Sequence, residues 1–339
     1  MLHIFATAAN AVLPIILLII LGNILRSRGF LTEEFVKLGN KLVFRIGLTC
    51  SLFVNVYNIA DVASISWTFV LFINAVTLVF FALGYITALF TTAQKQRRGV
   101  ILQCAFRCNF AIIGLSLATA LGGDAAAATA SLVSAFTLPG FNILGVIALS
   151  LFVHTGDSDK IRLKPILLEI IKNPMVLGAF AGLLCILLRE CQKLLFGGIL
   201  FSVKEDIPFV YTALNNIKMM TTPLALIVTG AQFRFSAVKG MFREIVVGTL
   251  WRIVLAPIIG IGAALILSNL GLLNCGTGEW ATLIAVFGAP AAVSSAVMAG
   301  QMGSDEQLAT QHVVWTSIGS TFTIFLLVCI LMATGILII

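Results

Sequence analysis

Phe106-Arg107-Cys108-Asn109-Phe110-Ala111-Ile112-Ile113-Gly114 is answered, 181 positions later, by Phe287-Gly288-Ala289-Pro290-Ala291-Ala292-Val293-Ser294-Ser295. At the same offset Leu102 meets Leu283, Gly122 meets Gly303, Asp124 meets Asp305, Ala128 meets Ala309 and Val133 meets Val314. A weaker pairing, Pro14 with Pro174 and Gly22 with Gly182, relates the start of each half at a slightly different offset. The chain therefore reads as two related halves. Asn109 falls opposite Pro290. A helical Pro removes an amide donor and breaks the ladder, and Asn competes with the ladder through its side chain. Both segments are expected to open near their middles.

Composition sets the solvent. Of 339 residues 60% are hydrophobic and 10% charged, and the mean hydropathy is +1.09. A soluble domain needs more polar surface than this chain supplies. Apolar runs long enough to cross about 30 Å of hydrocarbon are placed near 5–25, 36–57, 67–91, 99–121, 127–153, 166–188, 207–232, 243–268, 280–301 and 308–334. The expected fold class is an all-α polytopic membrane protein of ten transmembrane helices. Residues 1–153 form the first five-helix repeat, 154–165 a short cytoplasmic linker and 166–339 the second repeat. Five crossings per half make the second half enter from the opposite side, so the repeats are inverted. The first segment lacks a basic n-region and a cleavage site, so it reads as an uncleaved helix.

Orientation follows from Lys and Arg, which are retained in cytoplasmic loops. Arg26, Arg28, Lys37 and Lys41 flank the first connection, Lys95, Arg97 and Arg98 the third, Lys160, Arg162 and Lys164 the fifth, and Arg234, Lys239 and Arg243 the seventh. The second, fourth and eighth, around Asp61, Asp124 and Leu270 to Glu279, carry no Lys or Arg. The sixth mixes Arg189, Lys193 and Lys204 with Glu190, Glu205 and Asp206. Both termini are expected to be non-cytoplasmic. The net charge of +7 is thus explained by positive-inside loops, and no clustered basic face with interleaved aromatics suggests nucleic acid. Seven Cys offer neither a disulfide framework nor a paired C-x-x-C metal signature. Three scattered His and no deep carboxylate argue against an enzyme, and no cofactor or metal is expected.

Arg45, Arg107, Lys218 and Arg252 each fall about 8–11 residues from a segment end, roughly 12–17 Å deep at helical rise. No Asp or Glu reads as equally deep, with Glu169 and Glu244 at segment starts. A buried charge costs several kcal/mol and faces a cavity, a partner or a substrate. With no internal carboxylate to pair with, the partner implied is a bound anion; the alternative is that these side chains snorkel to an interface. Two broken helices related by a pseudo-two-fold axis would also aim half-helix N-termini at one point, which favours negative charge. The candidate substrate-binding residues are Arg107, Cys108, Asn109, Ala289, Pro290, Ser294, Ser295, Arg45 and Lys218, with Asn109, Gly114 and Pro290 as crossover hinges. Gly178-Ala179-Phe180-Ala181-Gly182 has the small-xxx-small form of a packing face, and His312 reads as a packed residue rather than a proton relay.

At these residues the chain resembles the auxin efflux carrier family, and within it the short bacterial members that include malonate transporters. The carrying motifs are Asn40-Lys41-Leu42-Val43, Asn109 through Gly114, Asn173-Pro174, Pro223-Leu224-Ala225-Leu226 and Ala289-Pro290-Ala291-Ala292-Val293-Ser294-Ser295. The resemblance implies a bile-acid-symporter-like inverted-repeat fold with crossed, broken helices 4 and 9. Helices one, two, six and seven would form a scaffold and the rest a moving domain. It also implies an organic-anion substrate, such as malonate, malate or an auxin-like aromatic acid, a coupling ion of H⁺ or Na⁺ left open, a homodimer through the scaffold helices, contact with membrane lipids, and a bacterial inner membrane. Family members often carry Pro where this chain has Thr49 and Ser116, and a small residue where it has Arg107. The guanidinium suits bidentate clamping of a carboxylate. The function expected is secondary active transport of a small organic anion by alternating access, with a transporter-like sensor or an anion channel of the same fold as the alternative.

Overall fold

The structure is a computed structural model and describes residues 2–58, 66–153, 168 and 171–337. The connection at Asp61 and the linker 154–165, with its Lys160, Arg162 and Lys164, lie outside the described residues, as does Glu169. Within them the fold is all-helical, without strands. The elements are α1 (Leu2–Ser27), α2 (Glu33–Leu42), α3 (Leu48–Tyr57), α4 (Trp67–Thr91), α5 (Lys95–Phe106), α6 (Leu115–Val153), α7 (Pro174–Phe196), α8 (Val203–Asp206), α9 (Pro208–Gln232), α10 (Phe242–Leu250), α11 (Ala256–Asn269), α12 (Thr277–Gly288), α13 (Val293–Gln301) and α14 (Glu306–Ala333). Single π turns join α2 to α3 (Val43–Gly47), lead into α6 (Phe110–Gly114), and join α10 to α11 (Trp251–Leu255).

Five helical stretches among the described residues are long and apolar enough to span a bilayer: Trp67–Thr91, Leu117–Phe152, Pro174–Phe196, Phe242–Asn269 and Glu306–Ala333. The protein is an integral, multi-pass membrane protein. Fewer stretches qualify than the ten apolar runs of the sequence, because several runs are not continuous helices. The run at 99–121 is split between α5 and α6, and that at 280–301 between α12 and α13. The longest stretch is likewise interrupted. Gly123 adopts φ 62°, ψ −151° inside α6, a conformation open to glycine at little steric cost, so the runs at 99–121 and 127–153 meet there. Gly303, φ 71°, turns the chain between α13 and α14.

Local signals set the helix ends. Asn173 Oδ1 accepts the Met175 amide at 3.0 Å with Pro174 at the first helical position of α7, where a missing N–H costs nothing. Asp305 caps α14 by accepting the Leu308 amide at 2.9 Å. Packing then sorts the helices into two groups. α1, α2, α3, α7 and α9 pack on one another, while α4, α5, α6, α10, α11, α12 and α14 form the other set; α1 also packs along α14, and α13 packs on α14 while touching α9 and α2. Each group draws helices from both ends of the chain. The small residues expected to pack do so: a Cβ at Gly178 would run into the Thr49 carbonyl of α3, and one at Gly182 would lie 2.8 Å from Val56 Cβ. The larger group centres on aromatic rings beside the breaks. Phe287 meets Phe80 at 5.6 Å and Phe72 at 6.5 Å, and Phe106 meets Phe81 at 5.5 Å.

Candidate functional site

Two helices stop and restart beside each other. α5 ends at Phe106, Arg107 is extended (φ −91°, ψ 105°), and Asn109 (φ −83°, ψ 52°) leads into the π turn before α6. α12 ends at Gly288, Ala289 and Ala292 are extended, and α13 begins at Val293. The exposed backbone groups find partners across the gap. The Asn109 amide donates to the Pro290 carbonyl at 2.8 Å and the Ala292 amide to the Arg107 carbonyl at 3.3 Å, making an isolated antiparallel bridge of Cys108 and Ala291. The Ala291 amide donates to Thr316 Oγ1 of α14 at 3.0 Å. The residues that the sequence repeat aligns, Asn109 and Pro290, are thus hydrogen-bonded to one another.

A cavity of about 310 Å³ opens beside this crossing. Arg107, Cys108 and Asn109 line it from the first break, and Ala292, Val293 and Ser294 from the second break and the N-terminus of α13. Leu48, Ser51 and Asn55 of α3, Lys218 and Thr222 of α9, and Phe141 and Asn142 of α6 complete the wall. Both helix groups therefore contribute. Arg107 is 3% exposed. Its Nη2 donates to Asn142 Oδ1 at 2.6 Å and to Ser294 Oγ at 2.9 Å, and its Nη1 meets Met298 Sδ at 2.8 Å. All three partners are neutral. No Asp or Glu pairs with Arg107 among the described residues. Asn109 Nδ2 is buried without a hydrogen-bond partner, and Lys218 is half-buried and lines the cavity from α9.

The chain matches the membrane transport protein family over residues 7–328. It belongs to the auxin efflux carrier family. This family consists of membrane transporters rather than enzymes. No curated protein matches the chain.

In this auxin efflux carrier family member the candidate residues divide by position. Arg107, Cys108, Asn109, Ser294 and Lys218 meet at the cavity. Ala289 and Pro290 are buried behind it, Pro290 acting through its carbonyl. Ser295 is buried with its Oγ unpartnered, and it is not among the residues that line the cavity. Arg45 is not brought to the cavity at all. The phase of its π turn buries Val43, Phe44 and Gly47 and leaves Arg45 and Ile46 exposed. Gly114 lies beyond the break rather than in it, inside the π turn that its own amide closes onto the Asn109 carbonyl at 3.2 Å. A Cβ there would collide with the Phe110 ring and come within 3.2 Å of the Ala285 carbonyl, so Gly114 permits close packing.

Arg252 does not snorkel: it is 1% exposed and hydrogen-bonds backbone carbonyls at the two breaks. His312 is packed away from the cavity, with Nε2 3.0 Å from the Glu244 carbonyl. Two polar groups carry more than their sequence context suggested. Asn142 orients Arg107 while donating to the Leu138 carbonyl at 2.7 Å, three residues after Pro139, the one signal in that helix. Glu306 begins α14 in what reads as a loop. Its Oε1 accepts from Asn40 Nδ2 of α2 and, at 2.6 Å, from Gln232 Nε2 of α9. Those contacts tie the two helix groups together, as do Gln307 Nε2 on the Gln232 carbonyl at 2.8 Å and Gln311 Nε2 on the Arg234 carbonyl at 2.9 Å.

Proposed function

We propose that this carrier is a secondary active transporter of a small organic anion, with a dicarboxylate such as malonate or malate as the best-matched substrate. The observation that carries this reading is Arg107: a buried cation at the wall of a cavity, held by neutral groups only, whose charge is left for a ligand to balance. A desolvated guanidinium with neutral partners is a costly arrangement unless an anion completes it. Asn109 Nδ2 is a second, unused donor. The N-terminus of α13 adds a positive dipole end, and Lys218 offers a cation on the other helix group for a second carboxylate. The cavity volume suits a compact ligand.

In this reading the ten apolar runs are ten crossings in two inverted repeats, 1–153 and 166–339, with both termini non-cytoplasmic in a bacterial inner membrane. The group of α1, α2, α3, α7 and α9 is the scaffold, and the group carrying the breaks moves against it. The cavity-lining part of α3, Leu48 to Asn55, runs away from Asn40, while Asn40 and Gln232 hold Glu306 on the side of the basic loops. That supports a state closed toward the cytoplasm, with alternating access requiring release of the Glu306 contacts. A homodimer through the scaffold agrees with the apolar exposed face of α7, including Leu184, Leu187 and Leu188.

The reading is tested by a thermal-shift screen of purified protein against mono- and dicarboxylates, aromatic acetates and neutral analogues, followed by counterflow in vesicles. A ligand at one hundred times Kd stabilises by about 2.7 kcal/mol. Stabilisation by one anion class, lost in Arg107→Ala, with saturable counterflow, is expected. Binding without flux would instead indicate a sensor, and non-saturable flux a channel. A response to neutral or cationic compounds alone would overturn the anion reading.

A further inference from the structure

The second deep cation, Arg252, sits in the π turn Trp251–Leu255 and does not line the cavity beside the crossing. Its guanidinium lies between the C-terminal ends of α5 and α12. Nη1 donates to the carbonyls of Ala105 at 3.4 Å and Phe106 at 3.5 Å, and Nη2 to those of Val286 at 3.1 Å and Phe287 at 2.6 Å. Three of these carbonyls have lost their intrahelical donors for reasons visible at the breaks. The Asn109 amide, which would serve Ala105, goes to Pro290, and the Ala291 amide, which would serve Phe287, goes to Thr316. Val286 faces Pro290, which has no amide hydrogen. A helix C-terminus carries roughly half a negative charge, so two of them present about one, which a single guanidinium balances. No carboxylate pairs with Arg252 among the described residues.

Half-helix C-termini and unwound carbonyls are the groups with which broken-helix transporters hold an inorganic coupling cation. We propose that these four carbonyls form a cation site occupied by the chain's own Arg252, a tethered cation that holds the two breaks together and leaves no place there for Na⁺. Arg252 is a positioning residue: it does not line that cavity and acts through the backbone that sets Arg107 and Pro290. The inference needs only the geometry of the breaks, so it stands or falls separately from the anion reading.

The experiment uses the full chain in detergent, with melting followed in choline, K⁺, Na⁺ or methylguanidinium chloride at constant ionic strength. The wild-type Tm is expected to be the same in the first three salts. Arg252→Ala is expected to lower Tm by on the order of 5–10 °C, with at least half recovered by low-millimolar methylguanidinium and none by urea at the same concentration. Arg107→Ala, whose guanidinium is not in this site, is expected to show no such recovery. Arg252→Lys, which keeps a cation on a flexible stem, is expected to lie between wild type and Arg252→Ala and serves if the latter cannot be purified. A merely structural side chain would leave a defect that no cation repairs, and that outcome overturns the proposal. So would an unchanged Tm in Arg252→Ala, an Arg252→Lys no better than Arg252→Ala, or Na⁺-specific stabilisation of the wild type.

Discussion

Arg107 Nη2 and Ser294 Oγ lie 2.9 Å apart, joining the extended residue that follows α5 to the first turn of α13. The contact places a cation from one broken helix over the N-terminus of the other, beside the cavity. Replacing Arg107 by Ala is expected to weaken anion affinity by about 2 kcal/mol or more, roughly 30-fold, the scale for losing one partner of a buried charge pair. Arg107→Lys keeps the charge without the fork and is expected to retain part of the affinity. Thermal-shift titration with the stabilising anion reads both.

Ser294 and Ser295 are neighbours in sequence with different surroundings, and they provide a paired control. Ser294 accepts from Arg107 and lines the cavity, whereas Ser295 does neither. Ser294→Ala is expected to lower anion affinity by about 1 kcal/mol, close to fivefold, as one neutral hydroxyl acceptor is removed. Ser295→Ala is expected to leave affinity unchanged. Equal losses in both would mean that the serines act through helix packing.

Lys218 offers a test of whether one carboxylate is held or two. If it holds the second carboxylate across the cavity, Lys218→Met is expected to reduce affinity for a dicarboxylate by at least tenfold, about 1.4 kcal/mol, while a monocarboxylate loses little. The ratio of the two Kd values, measured on the same preparation, checks this.

Glu306→Gln exchanges a carboxylate for an amide between two amide donors. Both donors share Oε1, so with the amide oxygen at that position both charge-assisted bonds become neutral ones. Loss of about 2 kcal/mol is expected, which loosens the contact between the helix groups. A cysteine placed at Gln232 is then expected to react faster with a membrane-impermeant maleimide from the cytoplasmic side than it does beside native Glu306.

The α3–α7 contact predicts a stability effect without a functional one. Gly178→Leu would force a side chain into the Thr49 carbonyl, and overpacking of this kind costs about 1–3 kcal/mol. Gly198→Ala, which meets nothing within 4 Å, serves as the control. Melting curves at equal detergent concentration compare them.

Much of the site was legible because its signals are covalent. A Pro without an amide hydrogen and an Asn at the matching position of a repeated stretch announce a helix break wherever the segment packs, and Asn109 and Pro290 do meet. The small-residue run Gly178 to Gly182 was readable for a similar reason: absent side chains permit close backbone approach. Arg45 was misplaced by depth counting, which measures distance along a helix but not azimuth. The π turn at Val43–Gly47 sets that azimuth, and no residue in it signals the extra residue per turn.

The amino-acid sequence alone determined the solvent, the helical class, the positions of the two breaks and the excess of deep positive charge, because hydropathy, proline chemistry and side-chain charge are local properties. Tertiary structure decided what each cation is for. Arg107 and Arg252 look alike in sequence, each a lone Arg in an apolar run. Packing gives one a cavity wall with neutral neighbours and the other the open carbonyls of two helix ends. The same holds for Glu306, a loop acid until α2 and α9 bring Asn40 and Gln232 to it. Partners from 34 to 266 residues apart in the chain set the cost of a buried charge, and only the folded chain supplies them.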